Sequence, residues 1–119
     1  MDKKIILSGI KPTGIPTLGN YIGALRNWRL MQQDDKYCYY MVADLHALTV
    51  RNDPDELRQQ TRSMAALLIA CGIDPERSPL FIQSHVHQHA ELSWLLGCVT
   101  YMGELNRMTQ FKDKSAKHA

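Results

Sequence analysis

The sequence offers little that would tie the protein to a membrane, a disulfide scaffold or nucleic acid. Its 119 residues contain three cysteines, Cys38, Cys71 and Cys98, which lie far apart in apolar runs and form no Cys-x-x-Cys motif. Such spacing does not support a disulfide framework and favours reduced, buried thiols in a cytoplasmic protein. No stretch approaches the ~20 apolar residues that a membrane span requires. The net charge of +2 is too small to indicate a nucleic-acid partner by itself.

The sequence also lacks internal repeats, low-complexity segments and interior linkers. It has instead an ordinary globular composition, with 45% apolar and 22% charged residues. A chain of this length is close to the usual size of one domain. We therefore predict a single domain over residues 1–119.

Short apolar runs predict three β-strands, at residues 4–7, 37–43 and 79–84. The runs are continuous rather than alternating, which indicates a parallel sheet covered on both faces. Apolar residues at helical spacing predict three helices, at residues 18–32, 54–71 and 88–102. The order β-α-β-α-β-α predicts an α/β fold with a parallel, Rossmann-like sheet, the first half of a doubly wound nucleotide-binding domain.

The second and third helices carry the sharpest local expectations. Asp53 is a predicted N-cap, Pro54 takes the first helical position and Glu56 completes a capping box. Gly72 is the predicted stop of this helix. In the third helix an apolar stripe is predicted to pack into the core, formed by Leu92, Leu95, Leu96 and Val99.

The turn after the first strand, GIKPTGIPTLGN at residues 9–20, holds three glycines and two prolines. It leaves the carboxyl end of a parallel strand, where ligands bind in such folds. It then enters a helix N-terminus, which attracts anions through its N–H groups and its dipole. Gly9, Gly14 and Gly19 leave room for a ring or a phosphate to approach the backbone. The turn is neither G-x-G-x-x-G nor a P-loop, so alone it predicts an anion or nucleotide site.

Three motifs in this order resemble those of the tryptophanyl-tRNA synthetases, a family of class I aminoacyl-tRNA synthetases. Thr-Leu-Gly-Asn at 17–20, after Lys-Pro-Thr-Gly at 11–14, is similar to the "HIGH" signature in its Thr-Ile-Gly-Asn form after Gln-Pro-Ser-Gly. Ala-Asp-Leu-His-Ala at 43–47 resembles the family's Asp-x-His-Ala segment. GELNRMTQFKDKS at 103–115 resembles its Gly-Glu-Leu-x-Arg-Met-Thr-Gln-Phe-Lys-x-Lys loop. The resemblance covers residues 4–116.

The resemblance implies ATP-dependent activation of L-tryptophan to tryptophanyl-adenylate and its transfer to tRNA(Trp). It implies Mg²⁺ bound through the ATP phosphates, with no protein metal site, and a homodimer in the cytoplasm without membrane contact. The implied ATP-binding residues are Lys11, Pro12, Thr13, Gly19 and Asn20. The implied catalytic residues, with Thr17 holding the triphosphate and the lysines on a mobile loop, are Thr17, Asn20, Lys112 and Lys114. The implied tryptophan pocket contains Leu7, Gly9, Asp44 and His46.

Two departures and one absence modify this expectation. Lys11 replaces the more usual Gln and adds a charge, whereas Thr13 replaces Ser and keeps a hydroxyl. The family's "KMSKS" loop and anticodon-binding helical domain have no counterpart in the sequence. We therefore expect the chain to be the N-terminal part of a synthetase that contains only half of the active site. We expect this part by itself to be inactive in aminoacylation.

Two alternatives remain at the level of sequence. A tyrosyl-tRNA synthetase shares the fold and the first motif, although Thr-Leu-Gly-Asn argues against it. A non-catalytic module that binds a nucleotide or dimerises is the second. We do not predict a metal site in His85-x-His87-x-His89, although alternating histidines on a strand would share one face and could hold Zn²⁺. The segment is instead predicted to lead into a helix, where residues two apart do not converge.

Overall fold

Three parallel strands form the centre of the structure, a computed structural model that describes residues 3–33 and 35–116. The strands are β1 (Lys4–Ile10), β2 (Lys36–Val42) and β3 (Leu80–Ile82). They are ordered β1-β2-β3 across the sheet. Lys4 pairs with Lys36 at one end of the β1–β2 ladder, and Val42 is flanked by Ile10 and Ile82 at the other. The predicted parallel α/β fold is confirmed.

The helical segments connect and follow these strands. Between β1 and β2 the chain forms α1 (Leu18–Asn20), a π-helical segment (Tyr21–Leu25) and α2 (Arg26–Met31) without a break. The remaining segments are α3 (Asp44–Ala47), α4 (Pro54–Ala70), a 3-10 turn (Gln83–His85), α5 (His87–Val99), α6 (Met102–Leu105) and α7 (Thr109–Ser115). The predicted elements are present, but β1 is longer and β3 shorter than the apolar runs, and α5 ends before residue 102. None of the helices in the described ranges is long and apolar enough to cross a membrane.

The N-terminus of α4 follows its prediction in part. The Asp53 carboxylate accepts hydrogen bonds from the backbone N–H groups of Asp55 and Glu56, at 3.0 and 2.9 Å. The reciprocal half of the predicted capping box is wrong, because the Glu56 carboxylate accepts from Gln60 Nε2 at 2.8 Å instead. Gly72 follows the helix at φ +99°, a conformation that favours glycine.

The core lies on one face of the sheet. Neighbouring parallel strands joined by right-handed crossovers place both connecting helices on the same side, and here α2 and α4 share one cluster with β2. The cluster contains Leu25, Trp28, Cys38, Tyr40, Val42, Met64, Leu68 and Ile73. On the opposite face Ile5, Leu7 and Tyr37 remain exposed. The prediction of a sheet covered on both faces is therefore wrong for the described residues.

The predicted core stripe of α5 is also wrong for these residues. Its four members, Leu92, Leu95, Leu96 and Val99, are all exposed, and Trp94 on the same helix is 75% exposed. The helical period was predicted correctly. An apolar stripe indicates that a face is suited to burial, but it does not identify what covers that face.

Candidate functional site

Three segments that carry or contact candidate site residues follow the carboxyl ends of the strands. The glycine- and proline-rich turn follows β1, α3 follows β2 two residues after its end, and the 3-10 turn follows β3 directly. In parallel sheets this edge is where ligands bind. The fold thus brings segments from distant parts of the sequence to one side of the molecule.

At the start of α1, Thr17 and Asn20 cap one another. Asn20 Oδ1 accepts the Thr17 backbone N–H at 2.8 Å, and Thr17 Oγ1 accepts the Asn20 backbone N–H at 3.4 Å. The Thr17 hydroxyl also donates to Asn20 Oδ1 at 3.0 Å. This reciprocal arrangement is a capping box. The motif resemblance implies only ligand contacts for these two residues, although the Thr-x-x-Asn spacing before a helix also indicates the cap.

The other residues of the turn differ in how far they are available to a ligand. Pro12 is fully buried, so its ring shapes the turn, whereas Lys11 is half-buried and Thr13 is exposed. Gly14 has φ +71°, which L side chains rarely adopt. A methyl group added at Gly19 would meet Thr17 Oγ1 at 3.5 Å, an ordinary contact. The surface over Gly19 is therefore open on the protein side.

The two β1 residues predicted for the amino-acid pocket lie along the sheet. Leu7 is on the uncovered face, where 63% of its surface is exposed. A Cβ at Gly9 would come within 3.0 Å of Met41 Cε and 3.3 Å of the Met41 carbonyl oxygen. A side chain at position 9 would therefore crowd the neighbouring strand, and Met41 would have to shift by a few tenths of an ångström.

Asp44 and His46, on α3, each contact the 3-10 turn after β3. Asp44 Oδ1 accepts backbone N–H groups from Leu45 at 3.0 Å and from Ser84 at 2.9 Å. His46 Nδ1 lies 3.0 Å from Oε1 of the buried Gln83. Gln83 was not among the predicted site residues, and no local sequence pattern indicates its contact with His46. These contacts fasten the ends of β2 and β3 together.

Two cavities adjoin this pair of turns. The larger, about 700 Å³, is lined by apolar side chains such as Leu45, Leu48 and Trp94 together with polar groups of His46 and Gln83. Mainly apolar walls with few polar groups are typical of small-molecule sites. Asp44 lines a neighbouring cavity of about 540 Å³. The structure therefore separates the Asp44 and His46 side chains into adjoining cavities.

The two predicted phosphate-binding lysines are on α7, which is helical where a loop was expected. Lys114 Nζ donates to Thr49 Oγ1 at 3.1 Å, and Lys112 is exposed. This contact places α7 beside the segment that follows α3.

The three alternating histidines do not share a strand. β3 ends at Ile82, His85 lies in the 3-10 turn, and His87 and His89 lie in the first turn of α5. Within residues 3–33 and 35–116 there is no group of three or more His, Cys, Asp or Glu side chains that could hold a metal ion. His89 Nδ1 is buried without a hydrogen-bond partner.

The parallel sheet and the glycine-rich turn at residues 9–20 define a class of protein. It is an α/β domain whose first strand leads through such a turn to a capped helix at the edge of the sheet where ligands bind. The family model for class I tRNA synthetases (W and Y) matches residues 2–119. The chain therefore belongs to the class I tRNA synthetases of the tryptophan and tyrosine group.

Solved structures agree with this family. A tryptophanyl-tRNA synthetase from Campylobacter jejuni, complexed with ADP and tryptophan, is 36% identical with a TM-score of 0.86, covering 95% of this chain and 35% of that chain. The tryptophanyl-tRNA synthetase from Mycoplasma pneumoniae is 38% identical with a TM-score of 0.85, and the match covers 95% of this chain and 33% of that chain. A tyrosyl-tRNA synthetase from Archaeoglobus fulgidus, at 19% identity and a TM-score of 0.74 over 90% and 35%, shares the fold. The chain thus spans about a third of each relative's length.

Proposed function

We propose that this chain is the N-terminal half of the catalytic domain of a tryptophan–tRNA ligase. The complete enzyme activates L-tryptophan with ATP to tryptophanyl-adenylate and transfers the tryptophanyl group to tRNA(Trp). The observation that carries the proposal is the similarity to tryptophanyl-tRNA synthetases along 95% of this chain at 36–38% identity. The relatives at 36–38% identity are tryptophanyl enzymes, and this favours tryptophan over tyrosine as the substrate.

Activation requires positioning more than acid–base catalysis. The attacking carboxylate is already ionised, so the protein must align it with the α-phosphate and neutralise the charge that grows on the pyrophosphate. The open surface over Gly19 and the N-terminus of the continuous helix that begins at Leu18 suit a nucleotide. In this proposal ATP is held by Lys11, Thr13, Gly19 and Asn20, with Pro12 shaping the turn.

The remaining charge compensation comes from hydroxyl and ammonium groups. Thr17 lies at the helix N-terminus that faces the triphosphate, and Lys112 and Lys114 approach the phosphates from α7. Residues 9–20 contain no carboxylate, so this turn suits the phosphates themselves rather than a metal ion. Mg²⁺, bound through the ATP phosphates, would supply further charge neutralisation there.

The amino-acid pocket lies around His46 and the end of β1. The cavity beside His46 has the apolar lining that an indole requires, and the Campylobacter jejuni relative was complexed with tryptophan. In this proposal Leu7 and Gly9 line the pocket from β1, and Asp44 supports it from the start of α3, where it accepts the Ser84 N–H. Further contacts would come from parts of the enzyme beyond this third of its length.

The complete enzyme acts as a cytoplasmic homodimer in this proposal. The uncovered faces of the sheet and of α5 provide apolar surface for the rest of the catalytic domain and for a second subunit. Sedimentation of the complete protein tests the dimer directly. A monomer at micromolar concentration would contradict this part of the proposal.

ATP–pyrophosphate exchange by the complete protein tests the function. We expect exchange with L-tryptophan and none above background with L-tyrosine, and we expect the 119-residue chain alone to show little exchange.

Lys114→Met should lower the exchange rate of the complete protein about tenfold or more, because it removes charge stabilisation that acts in the transition state. Lys4→Met, at the opposite edge of the sheet, is the matched control. Equal exchange with tyrosine would overturn the assignment of the amino acid.

A further inference from the structure

The contact between His46 and Gln83 joins residues 37 positions apart across the ends of β2 and β3. His46 Nδ1 and Gln83 Oε1 are 3.0 Å apart. Gln83 is buried, with 9% of its surface exposed, whereas His46 is exposed toward the 700 Å³ cavity that both residues line.

The backbone that carries Gln83 is itself fixed. The next residue, Ser84, donates its N–H to Asp44 Oδ1 at 2.9 Å, and the Gln83 carbonyl accepts the Val86 N–H at 3.1 Å. Asp44 is two residues before His46, so one carboxylate holds the turn that bears Gln83 against the helix that bears His46. The amide and the imidazole therefore meet in a set geometry.

With the Gln83 oxygen facing the ring, a hydrogen bond between the two groups requires the proton on Nδ1, because an amide oxygen can only accept. The bond made by one ring nitrogen of a histidine determines the state of the other. With Nδ1 protonated, Nε2 of the neutral ring has a free lone pair and points away from Gln83. The group offered to a ligand in the cavity is then a hydrogen-bond acceptor.

We propose that Gln83 is a positioning residue that holds His46 in its Nδ1–H form, so that Nε2 accepts a hydrogen bond from an N–H group of the amino-acid substrate. The proposal rests on the proposed function, which places that substrate beside His46. It adds a role for a residue that does not itself touch the substrate. Because Gln83 is uncharged, it orients the ring without adding negative charge to a site that must accept an amino-acid carboxylate and a triphosphate.

Nitrogen-15 NMR of the histidine rings in the 119-residue chain tests the tautomer without any substrate. The His46 signals are assigned by their loss in His46→Gln. We expect a protonated, pyrrole-type shift at Nδ1 and an unprotonated, pyridine-type shift at Nε2 in the neutral ring. The opposite pattern in the unaltered chain would overturn the proposal, and this result needs no variant at position 83 to fold.

Variants then separate positioning from packing. Gln83→Met keeps the length of the side chain but removes the acceptor, so the Nδ1–H form should give way to a mixture or to the Nε2–H form. Gln83→Glu retains an oxygen acceptor and should restore Nδ1–H. Gln59→Met, on the exposed side of α4, should leave the His46 signals unchanged. An unchanged tautomer in Gln83→Met would contradict the proposal.

Exchange kinetics of the complete protein test the consequence for the substrate. Gln83→Met should raise KM for L-tryptophan about tenfold, the lower end of the loss seen when the partner that orients a metal-binding histidine is removed. Gln83→Glu should recover only part of this loss, because its negative charge lies beside a site for anionic substrates. A changed tautomer with unchanged KM would overturn the role toward substrate. If the complete protein does not activate tryptophan, the proposed function fails, while the tautomer measurement still decides whether Gln83 orients His46.

Discussion

Two consecutive tyrosines on β2, Tyr39 and Tyr40, differ sharply in their burial. Tyr40 is completely buried, stacks on Trp28 with ring centroids 5.0 Å apart and donates its hydroxyl to the Trp28 carbonyl at 2.8 Å. Tyr39 points to the other face of the sheet and is 39% exposed. Successive side chains of a strand alternate between faces, so this one-residue step separates the packed face from the uncovered face.

The difference shows which part of the chain is structurally self-sufficient. The packed face holds the whole buried cluster shared by β2, α2 and α4. The uncovered face carries apolar side chains of similar size, including Ile5 and Leu7, that stay mostly exposed among the described residues. Stability should therefore depend on one face, whereas the other face is available for association and for the ligand site.

Replacing a leucine on each side tests this comparison with the largest expected effect. Leu68→Ala, in the packed cluster, should lower the free energy of unfolding by about 3 kcal/mol because it removes buried contacts and leaves a cavity. Leu7→Ala should change it by less than about 0.5 kcal/mol, as exposed substitutions usually do. Urea denaturation followed by circular dichroism measures both. Equal losses would show that the second face is buried in solution, and repeating the titration at several protein concentrations would identify self-association.

The packed face is also the part of the fold that the sequence predicted well. The continuous apolar run at residues 37–43 and the Asp53–Pro54 start of α4 are local patterns, and both produced elements close to their predicted bounds. The predicted cover of the second face failed for a different reason. The strand sequences are continuously apolar because both faces of the sheet carry apolar residues. Such a run does not identify which part of the protein packs against each face.

The candidate site divides in the same way between local and tertiary information. Thr17 and Asn20 are three residues apart, so their mutual cap was within reach of a local pattern. The Gln83–His46 contact joins two strand ends and depends on the sheet order, so nothing near either residue in the sequence indicates it. Motif resemblance pointed to His46 and Asp44, but it could not specify their hydrogen-bond partners.

Removing one oxygen from each tyrosine sharpens the comparison further. Tyr40→Phe leaves the buried Trp28 carbonyl without its donor, which should cost about 2 kcal/mol of unfolding free energy. Tyr39→Phe on the exposed side should cost less than about 0.5 kcal/mol. The same denaturation experiment at neutral pH measures the pair. Equal effects would mean that the Tyr40 hydroxyl bond contributes nothing beyond ring packing.

Alkaline pH gives the smallest and most specific test. Burial, with the adjacent Cys38 thiol, raises the pKa of the Tyr40 phenol above its ordinary value of 10.0. Below pH 10 both folded and unfolded chains keep this proton, so the contribution of Tyr40 to stability is complete. Above pH 10 the unfolded chain loses it first, and stability should fall by about 1.4 kcal/mol per pH unit from this group. The difference in unfolding free energy between the unaltered chain and Tyr40→Phe should therefore shrink between pH 10 and 11. The same difference measured for Tyr39→Phe is the control for an exposed tyrosine. A constant advantage over Tyr40→Phe across this interval would show that the buried phenol ionises equally in both states.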